Sequence, residues 1–403
     1  MAARDGNVTA CLAVRYAEGT QRLVPPEETL ARVAPHLPAI GVTRVADITG
    51  LDRLGIPTFC AVRPLARQVQ VTNGKGLTAT AARVSAIMEA VEHAHAEAPP
   101  PVVRHASMAG LAAEGAPFLP IGALPNHLPE VFVTDERRLP WVEAQSLTPE
   151  GGEGGAVLVA ACAAYLVDPM VALPSTNGLA SGNHLVEATL HALYELIERD
   201  AVTRLSRGGL RLPKGESRLI DVDRLPEGPV AGLRDRLASA GVELVLIRVE
   251  TAAPVTTMWA VLLDPNSHHA CSRINMGHGS HLTPTIAATR AITEAAQSRL
   301  TFIHGAREDL SPDSYRFTPA HARLSGFFQG RRGDLALGDL PDLSTGDLVR
   351  DLARVLGGLA AAGFHRVLRV DLTRRDLRIP VVKLIVPKLT FRDGFISHHG
   401  RSG

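Results

Sequence analysis

From His184 to Ala201 the chain has no glycine or proline, and its apolar residues return at steps of three and four. Leu185, Ala188, Ala192 and Leu196 fall on one line, with Leu190, Leu193 and Ile197 on the next. That spacing predicts a packed helix, with Asn183 as N-cap after the small, turn-forming stretch 175–182. The same spacing predicts a helix over 79–97, where Val84, Ile87, Met88 and Val91 are apolar, and another over 286–302. Shorter helices are expected at 30–37, 233–240 and 345–362. Strand-like runs occur at 41–49 (after a turn), 56–64, 68–72, 131–133, 156–167, 242–249, 256–263, 367–372 and 379–386. A local β–α–β rhythm runs through 233–263. The glycine-broken stretches 73–78, 151–155 and 275–280 read as loops. So do the proline-rich 98–150 and the polar 304–345. Together these elements predict an α/β fold of mixed α+β type, with no internal repeat.

The helices carry acids in a stripe. Glu187, Glu195 and Glu198 follow one another at steps of eight and three. Eight residues turn about 800°, roughly 80° past two full turns, and three turn about 300°, so the carboxylates share one side. Glu89 and Glu92 stand three apart on the 79–97 helix, and Arg290, Glu294 and Gln297 share a face of the third. Like charges on an apolar helix are tolerated if solvated or if a cation neutralises them. Lys75, flanked by Gly74 and Gly76, precedes one helix, where it is either a surface turn or a phosphate contact. Glu97, His93, His95, His278 and His281 read as surface or loop groups, and Arg331 with Arg332 as a surface pair or, alternatively, a mobile loop over an anionic ligand.

Composition narrows the picture. The chain has 403 residues, 45% hydrophobic and 21% charged, with a net charge of +1. That suits a soluble globular enzyme and gives no global field for nucleic acid or an anionic membrane. Cys11, Cys60, Cys162 and Cys271 are far apart, which forms neither a zinc site nor a disulfide framework and fits a reducing cytoplasm. No signal peptide or membrane span is apparent. Six converging glutamates would suit two or more Mg²⁺ ions, which prefer oxygen ligands and take substrate phosphates too. Lys75, Arg199 and Arg290 would then hold the phosphates. Zinc fits less well, because His and Cys are missing from these positions. A P-loop is excluded, since G-x-x-x-x-G-K-[ST] is absent.

The motifs Asn73-Gly-Lys-Gly, Ser85-x3-Glu89-x2-Glu92, Asn183-x3-Glu187, Glu195-x2-Glu198-Arg199 and Arg290-x3-Glu294 together resemble the YcaO family. These enzymes use ATP and Mg²⁺ to activate a backbone amide oxygen of a ribosomally made peptide. The resemblance runs over 56–386, with 22–52 as a similar lead-in. It implies a YcaO-type fold of mixed sheets and long helices enclosing an ATP/Mg site. It divides the chain into a lead-in at 1–55, a catalytic domain at 56–390 and a polar tail at 391–403. It implies that Glu89, Glu92, Glu187, Glu195, Glu198 and Glu294 surround the magnesium ions. Lys75, Ser85, Asn183, Arg199, Arg290 and Gln297 are implied to sit near ATP, with Arg22 and Thr29 as a phosphate-contacting pair. His93 departs from the pattern, where arginine commonly follows the second glutamate. No general base is assigned.

The implied chemistry is attack of a nucleophile on a peptide carbonyl, transfer of the γ-phosphoryl group of ATP to the resulting oxyanion, and loss of phosphate. Azoline-forming members commonly end in Pro-x-Pro-x-Pro, and this chain does not. That favours thioamide formation with a sulfur donor and a TfuA-like partner protein, and the leading segment with Leu51-Asp-Arg-Leu-Gly-Ile-Pro57 also resembles TfuA-associated members of the family. Azoline formation on Cys, Ser or Thr is the alternative. A non-catalytic accessory protein is a third reading, but it predicts broken acidic motifs and these are intact. The expected partners are a precursor peptide, its delivery protein and a second copy of the chain as a homodimer.

Overall fold

The computed structural model describes residues 11–129, 133–148, 154–207, 212, 215–267 and 272–391. The features expected at 131–133 and 151–155 lie largely outside these residues, as do Cys271 and nearly all of the tail at 391–403. In chain order the elements are α1 (Pro26–Val33), β1 (Arg44–Asp47), β2 (Thr58–Val62), β3 (Val71–Lys75), α2 (Ala79–Ala96), β4 (Arg104–Ala106), α3 (Met108–Ala113), β5 (Leu139–Ser146), β6 (Ala156–Ala160) and β7 (Leu179–Ser181). There follow α4 (Leu185–Arg207), β8 (Ser217–Leu219), α5 (Pro229–Ser239), β9 (Glu243–Val249), β10 (Thr256–Leu263), β11 (Ile274–His281), α6 (Pro284–His304), α7 (Pro319–Phe328), α8 (Leu348–Ala361), β12 (Leu368–Asp371) and β13 (Val381–Ile385).

The strands form three sheets. Their orders are β1-β2-β3, β11-β10-β9-β8, and β4-β5-β12-β13-β7 with β6 beside β5. All named pairings are antiparallel. Thr257 pairs with Val249, so the rhythm through 233–263 is not a parallel crossover. Residues before 56 are built into the first sheet, since β1 pairs with β2.

The glycine-broken stretches differ most from expectation. Asn73, Gly74 and Lys75 lie inside β3, and 275–280 lie inside β11. Their glycines serve close approach rather than turning. A Cβ on Gly74 would stand 1.9 Å from the backbone nitrogen of Ala86 in α2. One on Gly277 would stand 2.2 Å from that of Ala295, and one on Gly279 2.3 Å from the carbonyl oxygen of Ala287. Alanine-rich helices therefore press directly onto bare strand backbone. The arrangement recurs before α4, where a Cβ on Gly182 would meet the nitrogen of Ala188 at 2.7 Å.

Each long helix also has an apolar partner. Ile87, Ala90 and Val91 of α2 join Trp141, Val142 and Val381 in the core of the third sheet. Leu193 and Ile197 of α4 pack with Leu352 and Val355 of α8. Ala288 and Ile292 of α6 pack with Leu233 and Leu237 of α5. β10 is buried throughout, with Met258 and Leu262 toward α6 and Trp259 and Val261 on the other face. A strand covered on both sides has an unbroken apolar sequence, which made 256–263 legible.

Other boundaries shift for local reasons. The first helix begins at Pro26, where a proline at the first turn loses no hydrogen bond, and gives way after Val33 to short 3₁₀ turns. The strand expected at 68–72 starts at Val71. That at 156–167 stops at Ala160. α7 lies in the stretch read as loop; Thr318 caps it and His321 returns the bond. Asn183 does not cap α4. Its Oδ1 accepts from Thr29 Oγ1 at 3.0 Å, and His184 Nδ1 accepts from the Val186 N–H at 3.2 Å instead.

Candidate active site

A cavity of about 670 Å³ opens where α2, α4 and α6 meet. Its wall includes Glu89, Glu92, Glu187, Glu195, Glu198 and Glu294, and also Lys75, Ser85, Asn183, Arg199, Arg290, Gln297, Arg22 and Thr29. Every residue expected around the ATP and magnesium therefore reaches one space. Helical spacing supplies the stripes, and the glycine-backed helices bring them together.

The carboxylates are held unequally. Glu92 Oε1 accepts from the Ser181 N–H at 2.8 Å and Oγ at 2.6 Å. Glu195 Oε2 accepts from the Gly178 N–H at 3.0 Å. Glu187 Oε1 accepts from Asn183 N and Nδ2 at 3.0 and 3.1 Å, and its Oε2 accepts from Leu23 N at 2.8 Å. Glu187 thus ties the lead-in segment to α4 and has less capacity left for another ligand. Glu294 Oε2 meets Lys75 Nζ at 3.0 Å, and its other oxygen lies 3.9 Å from His278 Nδ1. Gln297 donates to the Asn73 carbonyl at 3.2 Å.

Burial sets the charge states. It raises the Glu89 carboxyl to about 7, opposed by Arg307 and Lys75, and Glu92 to about 8, opposed by Ser181. Burial also raises Glu195 and Glu198. It pushes Glu294 the same way, but Lys75, then His278 and Arg199, pull that group well below the usual carboxylate range. Carboxyls so raised gain from an added cation.

The opposite corner is cationic. His191 Nδ1 lies 3.2 Å from Arg22 Nη2, and its Nε2 lies 3.1 Å from Arg290 Nη2. A neutral imidazole has one acceptor nitrogen, so one of these guanidiniums faces an N–H. Burial, then Arg22 and Arg290, keep His191 well below the usual histidine range, and the same groups act on His281. The buried Nε of Arg290 has no protein partner. An anion seated there would accept from both guanidiniums and relieve the conflict.

These features fit a nucleotide with magnesium: all-oxygen acidic donors on one side, and on the other the guanidiniums of Arg22 and Arg290, the latter with an unpartnered Nε. Among the described residues, no three His, Cys, Asp or Glu groups are clustered tightly enough to hold an ion alone. The carboxylates are spread around the wall, so a bound ion would share its shell with phosphate oxygens or water.

Sequence reasoning missed four groups. His191 lies midway between Glu187 and Glu195, and that four-residue spacing was a usable signal. Arg307 lines the cavity from the loop after α6 and is held by Asp309 through contacts of 2.9 and 2.5 Å. Lys383 of β13 donates to the carbonyls of Ser175 and Asn177 at 2.6 and 2.8 Å, and so fixes the loop that offers Gly178 to Glu195. Burial lowers its amine to about 8. Nothing local in the sequence marked Arg307 or Lys383. His93 was read as a surface group but is buried and lines the cavity. His95 is buried with its Nδ1 on the Val91 carbonyl, Glu97 pairs with Arg63 at 2.7 Å, and His278 and His281 lie in β11. Arg331 covers the Phe327 ring and Arg332 pairs with Asp223, both away from the cavity. No helix among the described residues is long and apolar enough to cross a membrane.

The chain matches known proteins over most of its length. A family profile described as YcaO cyclodehydratase, ATP- and Mg²⁺-binding, matches residues 73–390. An uncharacterized protein of Methanothermobacter thermautotrophicus is 37% identical over 91% of this chain and 94% of its own. A Rhizobium leguminosarum protein named for its place in the tfuA 3′ region is 33% identical over 91% of this chain and 88% of its own. Among solved structures, YcaO from Methanopyrus kandleri bound with AMPPCP and Mg²⁺ is 25% identical, with a TM-score of 0.73 and 93% of each chain covered. A heterocyclase in complex with substrate and cofactor shares the fold, with a TM-score of 0.75 over 94% of this chain and 54% of that one at 21% identity. The chain belongs to the YcaO family of ATP- and Mg²⁺-binding cyclodehydratases.

Proposed function

We propose that this cavity binds ATP with Mg²⁺ and activates a backbone amide oxygen of a ribosomally made peptide, leading to a thioamide with the help of a TfuA-like partner and a sulfur donor. The observation that carries the reading is the convergence of the acids of α2, α4 and α6 on one cavity with Lys75, Arg199, Arg290 and Arg22. The relative from the tfuA 3′ region supports the choice of partner. Azoline formation is the second reading, favoured by the cyclodehydratase description of the family.

ATP supplies the phosphoryl group that turns an amide oxygen, otherwise a poor leaving group, into a good one. Glu89, Glu92, Glu195, Glu198 and Glu294 would hold magnesium, and Glu187 would anchor the lead-in that brings Arg22 to the site. Arg22, Arg290 and Lys75 would orient the phosphates, with Arg199 beside Glu195 and Glu198. Asn183, Ser85, Thr29 and Gln297 complete the polar wall. The protein's share of catalysis is positioning and charge neutralisation in a half-buried space.

The test is the mass of a precursor peptide co-expressed with this chain and its partner. Exchange of oxygen for sulfur adds about 16 Da, and cyclodehydration removes about 18 Da. A loss of about 18 Da selects the second reading. An unchanged peptide, with phosphate release equal in the parent and in Glu195→Ala, removes both.

A further inference from the structure

A second cleft, of about 560 Å³, lies outside the cavity just described. Arg32 and His36 form one side, from the end of α1 and the turn after it. Arg375 and Arg378 form the other, from the loop joining β12 to β13. Arg32, Arg375 and Arg378 are exposed. Asp376 is the one acid on the wall, and Arg374 already holds it through contacts of 3.1 and 2.6 Å. Among the described residues, no ion pair joins Arg32, Arg375 or Arg378 to a carboxylate. The cleft is therefore positive and uncompensated, in a chain whose net charge is only +1.

Two further features indicate a built surface. Arg378 has φ +54°, a left-handed conformation that glycine adopts far more easily. The loop spends backbone strain to present a cation at that point. The cleft also abuts the cavity. Pro380, at the end of the same loop, accepts from the Gly182 N–H at 3.1 Å. Arg32 Nη1 reaches Asn183 from the other side, at 3.3 Å to Oδ1 and 3.4 Å to the carbonyl. Gly182 and Asn183 are wall residues of the cavity. A chain lying in the cleft is thus one loop away from the reacting centre.

We propose that this cleft docks an acidic segment of the peptide substrate, holding it so that an adjoining segment enters the cavity. The proposal rests on the reading of the substrate as a peptide. Charge complementarity selects an acidic occupant, and the shared Gly182–Asn183 wall selects the substrate over a partner protein. Single-stranded nucleic acid is the other anionic polymer, but the cleft wall holds no Phe, Tyr or Trp on which successive bases could stack, only the lone imidazole of His36.

The test is fluorescence anisotropy with a fluorescein-labelled peptide of alternating glutamate and glycine, beside its lysine–glycine counterpart. The full chain is expected to bind the acidic peptide alone, and less tightly as salt rises. The Arg375→Glu/Arg378→Glu pair should weaken binding at least about tenfold, while AMPPCP with Mg²⁺ shifts its thermal midpoint as it does the parent's. Arg378→Gly relieves the strained position, so it keeps the loop folded and should weaken binding about threefold through lost charge alone. Equal binding of the two peptides, unchanged affinity in both variants, or displacement of the peptide by labelled oligouridylate would overturn the proposal. Failure of AMPPCP to stabilise the parent would count against the nucleotide site and leave the peptide result to stand or fall by itself.

Discussion

In the unit of β3 and α2, Gly74 lies beneath Ala86, and in the unit of β11 and α6, Gly277 lies beneath Ala295. Both helices approach bare strand backbone, and both turn glutamates toward the same cavity. Their charge states nonetheless diverge. Glu89 and Glu92 of α2 have no ion pair within 4 Å among the described residues, and burial raises both. Glu294 of α6 faces Lys75 and His278 across the gap and is held low. One packing device thus serves two electrostatic ends. The α6 side is already neutralised by protein, while the α2 side is the one that gains most from an added cation.

The largest effect should come from breaking the shared packing. Gly74→Ala would drive a methyl into α2, where backbone is the obstacle, and should cost about 3 kcal/mol or more in urea unfolding. Gly122→Ala, whose added Cβ meets nothing within 4 Å, should change stability by about 0.5 kcal/mol at most. Equal losses would show that the close approach is not what these glycines supply.

The charge difference can be separated next. Glu92→Gln removes a carboxyl that is costly to bury and should stabilise the metal-free protein by about 1 kcal/mol. Glu294→Gln leaves Lys75 without its partner and should destabilise by about 1 kcal/mol. Thermal melting in chelator reads both, and shifts of the same sign would erase the contrast. Phosphate release should fall at least about a hundredfold in each.

The pH dependence is a smaller effect of the same origin. Folded Glu89 and Glu92 keep protons to about 7 and 8, whereas unfolded carboxyls lose theirs near 4.5. The folded state therefore binds more protons over that window. The resulting stabilisation is complete below about pH 4.5 and is lost as pH rises through about 8. The metal-free protein should lose this contribution between about pH 4.5 and 8, and Mg²⁺ with AMPPCP should raise the midpoint more at about pH 8 than at about pH 6. A larger rise at pH 6 would contradict the assignment.

How much was legible follows from these same residues. α2, α4 and α6 announced themselves because long periodic segments without glycine or proline have few alternatives. β11 and the Asn73–Lys75 part of β3 did not, because Gly74, Gly277 and Gly279 carry the same letter as a turn glycine. The reason they are glycine lies on a helix distant in sequence. His184 replaced Asn183 as the cap of α4 because Thr29 and Arg32, far away in the chain, claim the asparagine oxygen. The acidic stripes were readable from spacing, whereas their unequal charge depends on Lys75 and Arg307 arriving from elsewhere. Lys383 looked like any strand residue until the loop at 175–178 folded over it.

Calorimetric titration of AMPPCP into the full chain, with and without Mg²⁺, tests the central claim most directly. The account predicts binding that requires Mg²⁺, releases protons as raised carboxyls ionise, and weakens at least about tenfold in Glu195→Gln. Binding that is equally tight in chelator, or unchanged in Glu195→Gln, would contradict it.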